Sequence, residues 1–305
     1  MTRDTELNFN AAKFVATEKG IWSNTILLGT VGSTVHGTNV QDGVEDLDLM
    51  GVCIEPMRCA IGFREFEQFI YRTAAARASG HPEANVAPHN ARSMAGDVDL
   101  TIYSLRKYLR LALKGNPTIL TLLFTPVSSL HRFTGFGDQL RQRTELIVSK
   151  RAGGAYLGYM QAQRQRLTGE RGGRHGSRPE LTNQYGYDSK YAAHVLRLGY
   201  QGIELMTTEK LILPMEELER DSVLAMRRGE VPREECFNRL EAVEKLLKLA
   251  IEDSPLRAEP DTEAVEQWML DTYRLVWGSC PPSWLARQRV NNEGSILIDS
   301  FGVHI

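Results

Sequence analysis

The sequence predicts an α/β (α+β) protein, in which an N-terminal domain built on a short mixed sheet is followed by a mostly α-helical domain. Two observations carry that reading. Up to about residue 130, short apolar runs alternate with turn signals, whereas residues 150 to 278 hold long 3.6-residue periodicity with few strand candidates. Hydrophobic residues are 42% and charged residues 24% of the 305, ordinary globular proportions that fill a substantial core. We therefore divide the chain into residues 1–130, 131–279 and a tail, 280–305.

Ile26-Leu27-Leu28 is the first strand candidate and runs into Gly29-Thr30-Val31-Gly32-Ser33. Leu47 to Ile54, ending at Pro56, is the second, and Phe66 to Arg72 the third. Thr73 to Gly96, rich in Ala, Ser, Gly, Pro and Asn, offers almost no large apolar residue and reads as a surface loop. Val98 to Tyr103 is a strand feeding a helix whose Leu105, Tyr108, Leu109, Ala112 and Leu113 share one face. Gly115-Asn116-Pro117 then stops that helix and starts another, Thr118 to Phe124, with Asn as cap and Pro at the first position. Further helices are predicted near 150–167, 186–206, 214–228, 233–252 and 261–277, bounded by Pro214, Pro232, Pro255 and Pro260. Ile296-Leu297-Ile298 in the tail is a weak strand candidate.

The chemistry concentrates in Gly32-Ser33, a gap of twelve residues, then Asp46-Leu47-Asp48-Leu49. Residues two apart in a strand point to one side, so Asp46 and Asp48 face together while Leu47 and Leu49 face a core. Two such carboxylates repel when ionised, and a hard divalent cation such as Mg²⁺ relieves that repulsion with oxygen ligands. Gly32 and Ser33 leave a strand directly, so their N–H groups and one hydroxyl can meet a phosphate. Around Tyr187, Lys190, His194 and Arg197 fall at i, i+4 and i+7 as one polar stripe beside apolar Tyr191, Val195 and Leu198. Beside a metal–nucleotide site, Lys190 and Arg197 read as triphosphate contacts; His194 reads equally as a hydrogen-bonded core histidine. His36 fits a turn position before Gly37. The run from Gln163 to Arg178, with Arg164, Arg166, Arg171, Arg174, His175 and Arg178, reads as a flexible solvated loop or a nucleic-acid backbone contact.

Other classes fall away. Lys+Arg 36 against Asp+Glu 38 gives a net charge of −2, so no global field recruits a polyanion. No GxSxG elbow, Walker GxxxxGK[ST] loop or strand-borne GxGxxG is present. The four cysteines, Cys53, Cys59, Cys236 and Cys280, form no CxxC pair and suit a reducing setting. With no apolar run of membrane-spanning length, the chain is expected to be cytoplasmic and free of membrane.

A hydrophobic strand, Gly32-Ser33 and the strand-borne Asp46 and Asp48 together resemble the DNA-polymerase-beta-type nucleotidyltransferase superfamily. The match extends over roughly residues 24 to 215 to one branch, the RNA-repair-associated predicted nucleotidyltransferases of the YcgL type. It is carried further by Leu105-Arg106-Lys107-Tyr108-Leu109 to Gly115-Asn116-Pro117-Thr118 and by Tyr187-Asp188-Ser189-Lys190 to Gly202-Ile203-Glu204-Leu205. Thr121 stands where that branch would carry an acid, and the Ala-rich stretch before Asp97 is longer than usual. The resemblance implies a third metal carboxylate on a neighbouring strand and a site for two Mg²⁺ ions, with Mn²⁺ an alternative; of the two candidates, Asp99, between apolar neighbours and on one face with Asp97 and Thr101, is chosen over Asp97, which abuts Gly96 at the strand start. It further implies transfer of an NMP from an NTP to an acceptor hydroxyl, either an RNA or tRNA end or a small molecule or protein. The helical domain would close the cleft. A non-catalytic nucleotide sensor or partner-binding protein is the alternative on the same fold.

Overall fold

The computed structural model describes residues 2–40, 46–79, 93–167 and 179–278. The chain runs α1 (Arg3–Glu18), β1 (Thr25–Thr30), α2 (Gly32–His36), β2 (Leu47–Cys53), α3 (Met57–Ala60), β3 (Gln68–Arg72), α4 (Thr73–Ser79) and β4 (Val98–Ser104). It continues through α5 (Leu105–Ala112), α6 (Pro117–Phe124), β5 (Leu130–Phe133), α7 (Gly135–Gln142), α8 (Thr144–Ile147) and α9 (Lys150–Leu167). The remaining helices are α10 (Pro179–Tyr185), α11 (Ser189–Thr208), α12 (Glu217–Arg227), α13 (Arg233–Asp253) and α14 (Thr262–Gly278).

The strands form one mixed sheet in the order β3-β4-β2-β1-β5. β2 lies at its centre, antiparallel to β1 and parallel to β4. Both faces are covered, which is why every residue of β1 is buried. Leu28, Leu49, Phe69, Leu100 and Ile102 pack beneath α1, against Ala12 and Ala16. Leu27, Met50 and Val52 join the larger cluster, which runs through α5 and α6 into the helical half as far as Trp268 and Tyr273.

No helix is expected at the N-terminus from the sequence. α1 meets the sheet through the small side chains Ala12 and Ala16, while Leu7 and Phe14 stay exposed, so no large apolar stripe marks it. β5 was likewise not foreseen; it is a four-residue edge strand whose side chains are only half-buried or exposed. The expected loop from Thr73 is corrected in its first part. Thr73 to Ser79 form α4 with Ala74 and Ala75 buried, held by the Thr73 hydroxyl, which accepts from Val98 N at 3.1 Å. The helix expected from 186 begins at Ser189 instead, because Asp188 caps it by accepting from Tyr191 N at 3.1 Å. The one expected from 214 begins at Glu217. Arg164 and Arg166 belong to α9 rather than to a loop, and Arg164 pairs with Glu244 at 3.4 Å. Arg171, Arg174, His175, Arg178, Cys280 and the Ile296–Ile298 segment lie outside the described residues. No described helix is long and apolar enough to cross a membrane, and Cys53, Cys59 and Cys236 are free thiols.

α11 is the axle of the helical half, packed by α9, α12 and α13. A Cβ at Gly199 would sit 2.3 Å from Val243 Cγ1, so only glycine lets α13 approach this closely. The C-terminal helix is tied to the sheet by Glu55, which is completely buried just beyond β2. Its carboxylate accepts from Leu105 N at 3.0 Å, the first turn of α5, and from the Tyr273 hydroxyl at 2.8 Å. Its carbonyl accepts from Trp277 Nε1 at 3.1 Å, and the Tyr273 and Trp277 rings stack at 4.1 Å. Glu55→Ala strands two donors in the core and is expected to cost about 2–4 kcal/mol in urea unfolding, with Tyr273→Phe costing about 1 kcal/mol.

Candidate active site

The parallel pairing of β2 with β4 sets Asp48 directly opposite Asp99. Asp46 stands immediately before β2, two residues earlier and on the same side. One carboxylate oxygen from each of Asp46, Asp48 and Asp99 lies within 4.8 Å of the others. Leu47 and Leu49 turn the other way, toward α1, as the alternation requires.

The turn after β1 closes on this triad. Gly32 has φ +70°, and a Cβ there would fall 2.1 Å from Asp48 Oδ2. Glycine is therefore demanded twice, by the left-handed backbone and by the carboxylate lying against it. Val31 N donates to the Asp48 carbonyl at 2.9 Å and locks the turn to β2.

Asp99 and Asp97, the two sequence candidates, part company here. Asp97 is buried and held by both Arg77 guanidinium nitrogens at 2.8 and 2.9 Å, and by Met94 N at 2.8 Å. Burial alone would raise its pKa, but these donors hold it below the usual carboxylate range. Asp99 joins the triad. Its Oδ2 accepts from Arg72 Nε at 3.1 Å and from the Ser93 hydroxyl at 3.0 Å. Its Oδ1 is buried without a hydrogen-bond partner among the described residues. Three hard oxygen donors within reach of one another, with one buried oxygen unmatched, fit a divalent cation such as Mg²⁺ or Mn²⁺.

A cleft of about 570 Å³ opens over the carboxylates, within the range of small-molecule sites. Gly32, Ser33, Asp46 and Asp48 line one wall; Lys190, His194, Arg197 and Arg227 line the other. All of the predicted residues thus gather at one place, with Asp99 joined through the triad. The polar stripe of α11 faces this cleft rather than open solvent, and only Lys190 is exposed.

Arg197 is enclosed. Its Nη1 donates to His36 Nε2 at 2.9 Å and to Gln201 Oε1 at 2.7 Å, and its Nη2 donates to His194 Nδ1 at 2.9 Å. Burial lowers its pKa to about 10, which leaves it cationic at neutral pH. His194 is pulled down to about 3, chiefly by burial and then by Arg197 and Lys190. His36, fully buried, is lowered well below its ordinary value by the same burial and by Arg197 and His194. Both imidazoles are therefore neutral and serve Arg197 as acceptors.

Sequence reasoning missed several members of this assembly. His36 does precede the left-handed Gly37, but it is also the buried anchor of α2. Arg227, which lines the cleft and donates to the Thr38 carbonyl at 2.6 Å, ends an ordinary amphipathic helix. Arg72 faces Asp99 across the β3–β4 pair, a register that alternation within either strand does not disclose. Ser93 sits in the stretch read as loop. Thr121 lies inside α6, its hydroxyl donating to the Pro117 carbonyl at 3.0 Å.

The profile of RlaP, the RNA repair pathway DNA polymerase beta family, matches residues 9–271. The chain belongs to this family. The span of the RlaP match takes in the sheet, the triad and the helical wall facing it. Among solved structures, a nucleotidyltransferase-like protein from Exiguobacterium sibiricum 255-15 aligns over 87% of this chain and 79% of its own, at 11% identity and a TM-score of 0.29. Among curated proteins none matches.

Gly32→Ala is expected to weaken Mn²⁺ binding at least tenfold by calorimetry, and to lower stability by about 1–3 kcal/mol through the forced left-handed alanine. Acid should also act on the two histidines. Their folded pKa values lie below the unfolded value of 6.5, so the unfolded chain takes up protons first. Their contribution to stability is complete above that pH and is lost as pH falls toward 3. Thermal scans should show the melting temperature dropping below pH 6.5, and His194→Gln, which keeps an acceptor, should flatten that slope.

Proposed function

We propose that the protein is a Mg²⁺-dependent nucleotidyltransferase that moves an NMP from an NTP to an acceptor hydroxyl. The observation that carries this reading is the meeting of Asp46, Asp48 and Asp99 beneath a turn that can only be glycine, opposite a cationic helix. In this reading Asp46, Asp48 and Asp99 hold two Mg²⁺ ions, with Mn²⁺ as a substitute. Bound there, such cations neutralise phosphate charge and make an acceptor hydroxyl more acidic.

The chain's own residues supply the rest. The Gly32-Ser33 turn offers N–H groups and a hydroxyl to the terminal phosphates. Lys190, exposed on the opposite wall, reaches the triphosphate and counters the charge that develops as pyrophosphate departs. Arg197 holds its positive charge inside that wall and keeps His36 and His194 in place. Asp99 receives the acceptor proton. Membership of an RNA repair family supports an RNA or tRNA end as the acceptor, ahead of a small molecule or protein. A cytoplasmic setting accords with that substrate.

The test follows pyrophosphate release and label transfer from α-labelled NTPs to an RNA pool. Asp46→Asn and Asp48→Asn should each cut transfer by at least about a hundredfold while remaining folded. Lys190→Ala should chiefly raise KM for the NTP, by about tenfold. Wild-type rates in a folded Asp48→Asn protein would refute the assignment. An RNA acceptor bound through several cations should also lose affinity steeply with salt, whereas a small acceptor should not.

A further inference from the structure

The acceptor side of the cleft already holds a hydroxyl. Ser93 lines the same cleft as Asp46 and Asp48 and donates to Asp99 Oδ2 at 3.0 Å. Arg72 braces the pair, its Nη2 donating to Ser93 Oγ at 3.0 Å and its Nε to Asp99 Oδ2 at 3.1 Å. A serine hydroxyl has one proton to give and two lone pairs. The proton points at Asp99, one lone pair takes Arg72, and among the described residues none takes the second, which is open to attack phosphorus. An external acceptor hydroxyl would have to present the same arrangement: a proton directed at the base carboxylate and an oxygen facing the cleft. By contrast, Thr38, also on the cleft wall, turns its hydroxyl to the Ser33 carbonyl at 3.5 Å.

We infer that Ser93 is a self-acceptor, a site at which the protein nucleotidylates its own chain. This rests on the nucleotidyltransfer reading above and names a regulator of that same site. Ser93 Oγ attacks the α-phosphorus of a bound NTP, forming a serine–phosphorus ester bond. The bond from the α-phosphorus to its bridging oxygen breaks, and pyrophosphate leaves with that electron pair. The serine proton passes to Asp99 and then to water. No oxidant or reductant is needed, and Arg72 lies beside the new phosphodiester charge. A chain so modified carries an NMP where the acceptor must enter, so the modification shuts the site against other acceptors until it is removed.

The experiment uses the full chain with Mg²⁺ or Mn²⁺ and each NTP in turn, with and without an RNA pool, followed by intact-mass measurement and peptide mapping. The expected result is one added NMP per chain, mapped to Ser93, absent in Ser93→Ala, restored in part by Ser93→Thr, and absent in Asp48→Asn. A second readout needs no turnover. Removing a donor from Asp99 Oδ2 should tighten Mn²⁺ binding by Ser93→Ala several-fold in calorimetry. An unchanged affinity would separate Ser93 from the metal carboxylate and overturn the inference. Wild-type protein that labels RNA but never itself would overturn the self-acceptor and leave the nucleotidyltransferase reading standing. An adduct at any other residue would overturn it equally. Absence of both labels and of pyrophosphate would bring down the two together.

Discussion

Electrostatic repulsion between carboxylates on adjacent strands is the constraint around which the site is built. Parallel pairing of β2 and β4 sets Asp48 against Asp99, and Asp46 adds a third acid. Such a cluster is costly unless cations compensate it. The protein supplies one itself, Arg72 on the neighbouring antiparallel strand, and leaves one oxygen of Asp99 unmatched. The turn at Gly32 then brings backbone onto Asp48 more closely than any side chain would permit. The sheet order, the bare turn and the facing helix all serve the same few ångströms.

The opposite wall follows a different rule. α11 is packed by three other helices, and Arg197 on its cleft side is half-buried against protein. Arg197 remains charged because its donors are matched by neutral acceptors: His36, His194 and Gln201. Neutral histidines here are structural necessities, since protonating either would place a second cation against the guanidinium. Lys190, at the beginning of the same helix, is exposed and lines the cleft.

The sequence disclosed the parts whose signals are local. Asp46 and Asp48 alternate with leucines, Asn116 and Pro117 announce α6, and the helices from 233 and 261 were found within a residue or two. What stayed hidden depends on contacts between distant segments. The resemblance called for a third carboxylate and strand position favoured Asp99 over Asp97, whereas the geometric reason, Arg77 closing on Asp97, belongs to the fold. α1 escaped notice because alanines form its buried face. The Arg72–Asp99 and His36–Arg197 pairs join residues 27 and 161 positions apart, and no periodicity within one segment encodes them.

The short helix after β1 is stitched to the helical half along one seam. Arg197 donates to His36, Met215 N donates to the His36 carbonyl at 3.2 Å, and Arg227 donates to the Thr38 carbonyl at 2.6 Å. The two walls are thus bound along one edge like a book at its spine, and this edge cannot part without breaking those hydrogen bonds. Any widening of the cleft therefore has to occur away from that spine, and Ser93, Met94 and Ala95 belong to the rest of its lining, with Met94 and Ala95 exposed. The short segment from Ser93 to Ala95, which lines the cleft and meets Asp99 through the Ser93 hydroxyl, is held to that spine by none of these three bonds.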